Sequence, residues 1–237
     1  MMEQNRLLAG LELEDSELLF PHMAEMEFPQ GMELSMPGLP ADHCYFPTAG
    51  IISTVVVSPE GNQAEIGVIG REGMSPSSAI LGADRNPYRT VIQVAGRGWR
   101  VPRTDLLRYL DARPAARSIM LRWTQAFSCQ IAFSALSNAV HSVDERLARW
   151  ILMCHDRLEG DRLVLTHEFL AIMLAVRRAS VTNALHVLEG HGFIYSQRGV
   201  IIVRDRAALE AFAADAYGGS EREYARLFPA RAAGSGG

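Results

Sequence analysis

The spacing of hydrophobic residues changes three times along this chain. Residues 3–24 place Leu7, Leu8, Leu11, Leu18 and Leu19 at helical spacing, which predicts a short amphipathic helix pair burying these leucines. From about 25 to 102 the apolar residues form short runs instead: 45–46 ahead of Pro47, then 51–57, 65–69, 90–94 and 99–101, with a turn over 58–62. Several short strands punctuated by Gly and Pro at this spacing predict a sandwich or a barrel-like roll.

From Ala115 to about His155 there is neither Gly nor Pro, and helical periodicity returns. Ile119, Trp123, Ala126, Gln130, Phe133 and Val140 trace one stripe, and Met120, Phe127, Ile131 and Ser134 with Asn138 trace another. A helix with two such faces is buried on two sides. One face can rest on the roll, and the other needs a partner, for which a second copy of the chain is the economical choice. An interior helix wrapped by the roll is the alternative. A bend is expected near Asn138, with the helix resuming over 147–152 before a loop at 156–162.

The stretch 165–206 reads as two short helices, a tight turn and a β-hairpin. Thr166 can cap the first helix, Glu168 sits in its first turn, and Phe169, Leu170, Met173 and Leu174 form its apolar face. Ala175-Val176 makes the turn. The second helix opens with Arg177 and Arg178, buries Val181, Leu185 and Leu188, and ends at Gly192 as a left-handed residue. Strand, turn and strand follow at 193–195, Gln197-Arg198-Gly199 and 200–203. A helix whose exposed start carries two arginines, Ser180 and Asn183 suits the major groove of double-stranded DNA.

Net charge is −4, so no global basic field surrounds the protein. Residues 1–142 hold 11 Arg against 15 acids, whereas 143–237 hold 12 against 12, so DNA-facing potential must be local to one face. All 23 basic residues are arginine; its planar fork suits phosphate and guanine, but genome composition is the better explanation of the bias, which carries little functional weight. Cys44, Cys129 and Cys154 form neither a C-x-x-C pair nor a disulfide framework, which fits a reducing compartment. With no apolar run of membrane-spanning length and an acidic N-terminal stretch, a cytoplasmic protein with no membrane partner is expected. A catalytic β-roll is not expected, because His43 is the only histidine between 25 and 112 and no nucleophile-elbow, P-loop or H-E-x-x-H motif occurs. No metal site is expected either.

Four segments, YFPTAG at 45–50, GREGM at 70–74, ERLARW at 145–150 and RRASV at 177–181, occur in an order that resembles the Crp/Fnr family of bacterial transcription regulators. The resemblance covers roughly 5–228. It implies an α+β chain: an N-terminal jelly-roll-like β-roll sensor at 1–114, a long dimerisation helix at 115–142 and a winged helix-turn-helix at 143–230; the linker composition of 231–237 predicts a disordered tail. It further implies a homodimer on a near-palindromic operator, a small effector acting through the roll, and contact with RNA polymerase, for which 156–162 is the candidate loop. Trp123, Phe127, Gln130, Ile131 and Ser134 are the candidate dimerisation residues.

Carried over by position, Arg178, Ala179, Thr182 and Asn183 face the groove beside Arg177, while Thr166, Ser180 and Arg198 touch phosphates. Arg178 is the candidate reader of guanine, the methyl of Ala179 can meet thymine, and Asn183 can pair with adenine. In the roll, Arg71, Arg89 and Thr90 are the candidate effector residues. Arg71 stands where cyclic-AMP binders place a ribose-binding Glu, which argues against cyclic AMP. The lack of a cysteine before Cys44 argues against an iron–sulfur cluster. His22, His43 and His141 are candidate axial ligands for a haem. Ala175 replaces a customary Gly at the helix-turn-helix turn, at a cost of roughly 1 kcal/mol if its φ is positive. The degraded cassette leaves a second reading open, a constitutive DNA binder with a ligand-free roll.

Overall fold

The computed structural model describes residues 5–11 and 18–229. The expected tail at 231–237 lies outside them. A short helix α1 (Arg6–Ala9) buries Leu7 and Leu8, and Leu11 and Leu19 are buried with them. Leu18 departs from expectation and is 47% exposed.

The runs read as separate strands at 45–46 and 51–57 join into one, β3 (His43–Val57), and those at 90–94 and 99–101 into β5 (Arg89–Pro102). These long strands pair antiparallel along most of their length, from Cys44 opposite Val101 to Val55 opposite Arg89. Register shifts around Pro47, Ala49 and Ile51 bend the ribbon. β4 (Gln63–Ile69) pairs with β3, while β1 (Ala24–Phe28) and β2 (Glu33–Ser35) pair with β5, so the sheet order is β1-β5-β3-β4. The roll core gathers Phe28, Phe46, Ile52, Ile69, Met74, Ile92 and Val101.

Helix α2 (Arg103–Ala112), absent from the sequence reading, buries Leu106, Tyr109 and Leu110. Helix α3 (Pro114–Val140) follows, and the break lies at His141-Ser142 rather than near Asn138. A capping box causes it: Ser142 Oγ accepts from the Glu145 N–H, and Glu145 accepts from the Ser142 N–H. That box starts α4 (Val143–His155).

The two-sided burial of α3 is satisfied differently from the expected pairing. Trp123, Phe127, Gln130 and Ser134 are all buried within their own chain, and Ile131 is half-buried against the roll core. Gly67 allows this approach, since a Cβ there would lie 2.7 Å from the Phe127 ring. Gln130 Oε1 accepts from the Val68 N–H at 2.7 Å and Nε2 donates to the Val68 carbonyl at 3.2 Å, extending the edge of β4. Within the single chain Trp123, Phe127, Gln130 and Ser134 are thus taken up by the roll, which leaves little of them to meet a second copy. The exposed face is the one at Ser118, Leu121, Gln125, Ser128, Ala132, Ala135 and Ala139.

Beyond α4 come β6 (Arg162–Val164), α5 (His167–Leu174), α6 (Arg178–Gly190), β7 (Ile194–Gln197), β8 (Val200–Val203), α7 (Arg206–Ala213) and α8 (Gly219–Leu227). A three-stranded sheet in the order β6-β8-β7 forms the wing. A second core joins Leu147, Ile151, Leu170, Leu174, Val181, Leu185 and Leu188. Among the described residues no helix is long and apolar enough to cross a membrane.

Candidate nucleic-acid interface

Thr166 caps α5 by accepting from the Phe169 N–H at 3.3 Å. The turn is closed by Ala175 at φ 49° and ψ 46°, the left-handed conformation that its place requires, and Val176 N–H returns to the Ala171 carbonyl at 3.0 Å. Val181, Ala184, Leu185 and Leu188 anchor α6 to the core. Its opposite edge presents Arg177, Arg178, Ala179 and Asn183 exposed, with Ser180 and Thr182 half-buried. No side chain caps this helix at Arg177, and its start lies beside two guanidinium groups.

Arg178 rests 3.1 Å from Glu168 across the turn, with both side chains 68% exposed. An ion pair that open is worth little and can be exchanged for a base or a phosphate. Thr182 Oγ1 donates to the Arg178 carbonyl at 3.2 Å, which turns its methyl rather than its hydroxyl outward as a contact group. Arg198 occupies the tip of the wing, exposed and at φ 42°. Two further exposed residues extend this surface. His186 lies one turn beyond Thr182 on α6, where i+4 spacing could have flagged it, and Arg204 lies 5.1 Å over the Tyr195 ring beside the wing.

The ERLARW segment joins this region to the roll. Arg146 donates to the Leu174 carbonyl at the end of α5, Arg149 donates to Ser134 on α3 at 3.2 Å, and Trp150 Nε1 donates to Glu65 on β4 at 2.9 Å. Glu65 is only 6% exposed, and burial pushes its carboxyl up to about 8. Ser53 Oγ lies 2.5 Å from Glu65 Oε2 and 2.6 Å from Gln93 Oε1. A hydroxyl has one proton to give, so the Ser53 contacts are both satisfied when Glu65 itself carries a proton. Gln93 Nε2 continues the chain to Met173 Sδ on α5 at 2.8 Å. A buried polar relay thus runs from α4 through three roll strands to the helix-turn-helix.

The roll does not assemble the expected effector residues. Arg71 lies 3.6 Å from Glu159, Arg89 donates to Glu33 at 2.8 Å and to Gln63 at 3.3 Å, and the Thr90 hydroxyl sits 2.7 Å from Ser35 Oγ. Each is engaged with a different neighbour, so no anion cradle forms. His22 lies 3.6 Å from Asp105, and His141 is held between Asp215 at 3.0 Å and Ser137 at 3.2 Å. His43 lies on β3 with its ring centroid 6.4 Å from that of Tyr45. Cys44 is buried, which pushes its thiol up to about 12. In the loop after α4, Asp156 is tied to Arg206 and Tyr217 and Arg157 to Glu72, which leaves only Glu159, Gly160, Asp161 and Arg162 exposed.

Residues 145–212 match the family model of the Crp-like helix-turn-helix domain. No curated protein matches the chain. Among solved structures, a Crp/Fnr-family transcriptional regulator from Eubacterium rectale superposes with a TM-score of 0.69 at 16% identity, covering 89% of this chain and 99% of that one. FixK2 from Bradyrhizobium japonicum gives 0.68 at 17% identity, covering 81% and 98%. The c-di-GMP-responsive regulator CLP from Xanthomonas campestris gives 0.64 at 14% identity, covering 81% and 99%. Residues 145–212 thus carry a Crp-like helix-turn-helix domain, set behind a β-roll and long helix whose fold is similar to that of these three structures.

Proposed function

We propose that the protein is a cytoplasmic, non-catalytic, dimeric regulator that binds a near-palindromic operator and responds to a small effector. The observation that carries the DNA-binding part is the exposed edge of α6, where Arg177, Arg178, Ala179 and Asn183 line one side of a helix fixed by its other side. Arg178 reads guanine, Asn183 reads adenine, and Arg177, Ser180, Thr166 and the wing-tip Arg198 hold phosphates. RNA polymerase meets the exposed 159–162 segment. A constitutive DNA binder is the second reading, favoured by the dispersal of Arg71, Arg89 and Thr90.

Specificity and affinity should separate between two arginines. Arg178→Ala is expected to cost about 1–3 kcal/mol on the cognate duplex and to relax preference at one base per half-site. Arg198→Ala should weaken cognate and scrambled duplexes alike and lower the salt slope by roughly one unit per lost phosphate contact. Titrating both variants on both duplexes across a salt series checks this. Equal weakening on both duplexes by Arg178→Ala, with altered base preference from Arg198→Ala, would reverse the roles. Changes within about 0.5 kcal/mol for both would mean that the two arginines are merely solvated.

A further inference from the structure

A cavity of about 300 Å³ lies where the roll, the long helix and the C-terminal helix meet. Its floor is Val68 and Ile69 of β4, one wall is Trp123, Ala126 and Phe127 of α3, and its roof is Tyr217, Glu221 and Tyr224 around α8. α8 reaches this place because Gly219 lies flat against Phe133, where a Cβ would overlap the ring. The roll, the long helix, the loop after α4 and α8 therefore border one space. It is separate from the places of Arg89 and Thr90, neither of which lines it.

The walls differ in chemistry. Trp123 and Phe127 stack with centroids 5.6 Å apart and an interplanar angle of 11°, so they line the cavity as one aromatic block. Facing it, Arg157 gives Nε to Glu72 at 2.7 Å and Nη1 to the Met153 carbonyl at 2.6 Å, and Nη2 has no hydrogen bond among the described residues. Glu221 accepts from the Gly218 N–H at 3.0 Å and from Ser220 Oγ at 3.1 Å, and no cation lies within 4.0 Å of it among the described residues. One open guanidinium edge, one carboxylate without a counter-cation and one aromatic wall form a three-point site. Glu72, Asp156 and Glu221 all border the space, which disfavours a ligand with several phosphate charges. The volume is at the small end of ligand pockets.

We propose that this cavity binds a small aromatic zwitterion of the amino-acid type. Its ring packs against the Trp123–Phe127 pair, its carboxylate meets Arg157 and its ammonium meets Glu221. The inference rests on the effector-responsive reading and supplies the site that the roll lacks. Bound there, the ligand links α8, which follows the DNA-binding domain in the chain, to α3 and the roll, so it changes operator affinity as it binds.

The test is calorimetric titration of the full chain with L-tryptophan, L-tyrosine and L-phenylalanine, with tryptamine and indole-3-acetate as probes that each lack one charge. At least one amino acid should bind with a dissociation constant below about 1 mM. Glu221→Gln should weaken it at least about tenfold, as should removal of either charge from the ligand. Ala126→Leu fills the cavity and should abolish binding while circular dichroism and melting show a folded chain. No binding by any of the three amino acids, or binding that survives Ala126→Leu in a folded chain, overturns the site. Operator affinity is measured in parallel with and without the bound amino acid. Specific DNA binding without any amino-acid binding removes this inference and leaves the regulator standing. Loss of DNA binding under every condition removes the regulator reading itself. Amino-acid binding that leaves operator affinity unchanged overturns the effector role.

Discussion

Ala132→Glu is expected to convert the protein to monomers and to weaken operator binding by about 10²–10⁴-fold, the advantage of engaging two half-sites at once. The seven exposed positions Ser118, Leu121, Gln125, Ser128, Ala132, Ala135 and Ala139 alternate steps of three and four, which is the spacing of a coiled-coil seam. Leu121 and Leu136 on this side are 43% and 50% exposed in the single chain. The run of Ala132, Ala135 and Ala139 lets a second helix approach closely. A glutamate at Ala132 would face its own copy across the seam, and burying two like charges is strongly unfavourable. The protomer should keep its melting temperature, because Ala132 touches little of its own chain. Phe127→Glu serves as the contrast. Phe127 packs on Gly67, so that change should destabilise the fold by about 3–5 kcal/mol rather than dissociate a folded dimer. Sedimentation, melting and duplex binding on the two variants separate the cases, and an Ala132→Glu chain that remained dimeric would rule out this seam.

Melting temperature should fall as pH rises from about 5 to beyond 8, and Glu65→Gln should remove most of that slope. The native carboxyl titrates near 8, chiefly because of burial and despite Ser53, Arg149 and Arg157, against an ordinary value of 4.5 in the unfolded chain. Between those values the native state holds a proton that the unfolded state has released, so its stabilisation is full below 4.5 and disappears as pH passes 8. The span corresponds to roughly 3–5 kcal/mol at about 1.4 kcal/mol per unit. Glutamine cannot ionise, and it keeps an acceptor for Trp150 and a donor for Ser53. If Glu65→Gln melts with the same pH dependence as the parent, Glu65 is not the proton-bearing link between roll and helix-turn-helix.

The helix-turn-helix was legible because its logic is local. Thr166, Ala175, the spacing of Val181, Leu185 and Leu188, and Gly199 after Arg198 specify cap, turn, buried face and hairpin within a few residues of one another. The roll was legible as a class but not in its pairing, since the continuity of β3 past Pro47 and Gly50 depends on β5, some fifty residues away. Short β1, β2 and β6 carry too little periodicity to announce themselves.

The candidate dimerisation residues turn inward within the chain, a direction that spacing does not carry. Trp123 and Phe127 are the largest residues of α3, and size alone does not reveal whether a face meets its own roll or another chain. The alanine-rich exposed face carries little hydrophobic signal because its residues are small. The candidate effector residues are dispersed by ion pairs such as Arg89 with Glu33, which join positions far apart in the chain and leave no trace in its spacing. Nothing in the spacing announced the cavity beneath α8, which is built from segments near both ends of the chain.

Selection of bound duplexes from a random pool by the full chain tests the central claim most directly. The account predicts enrichment of an inverted repeat with half-site centres about one helical turn, ~34 Å, apart. Each half-site should contain a guanine whose enrichment disappears when the selection is repeated with Arg178→Ala. A pool no different from the input, or an unpaired motif recovered equally well by Arg178→Ala, would contradict it.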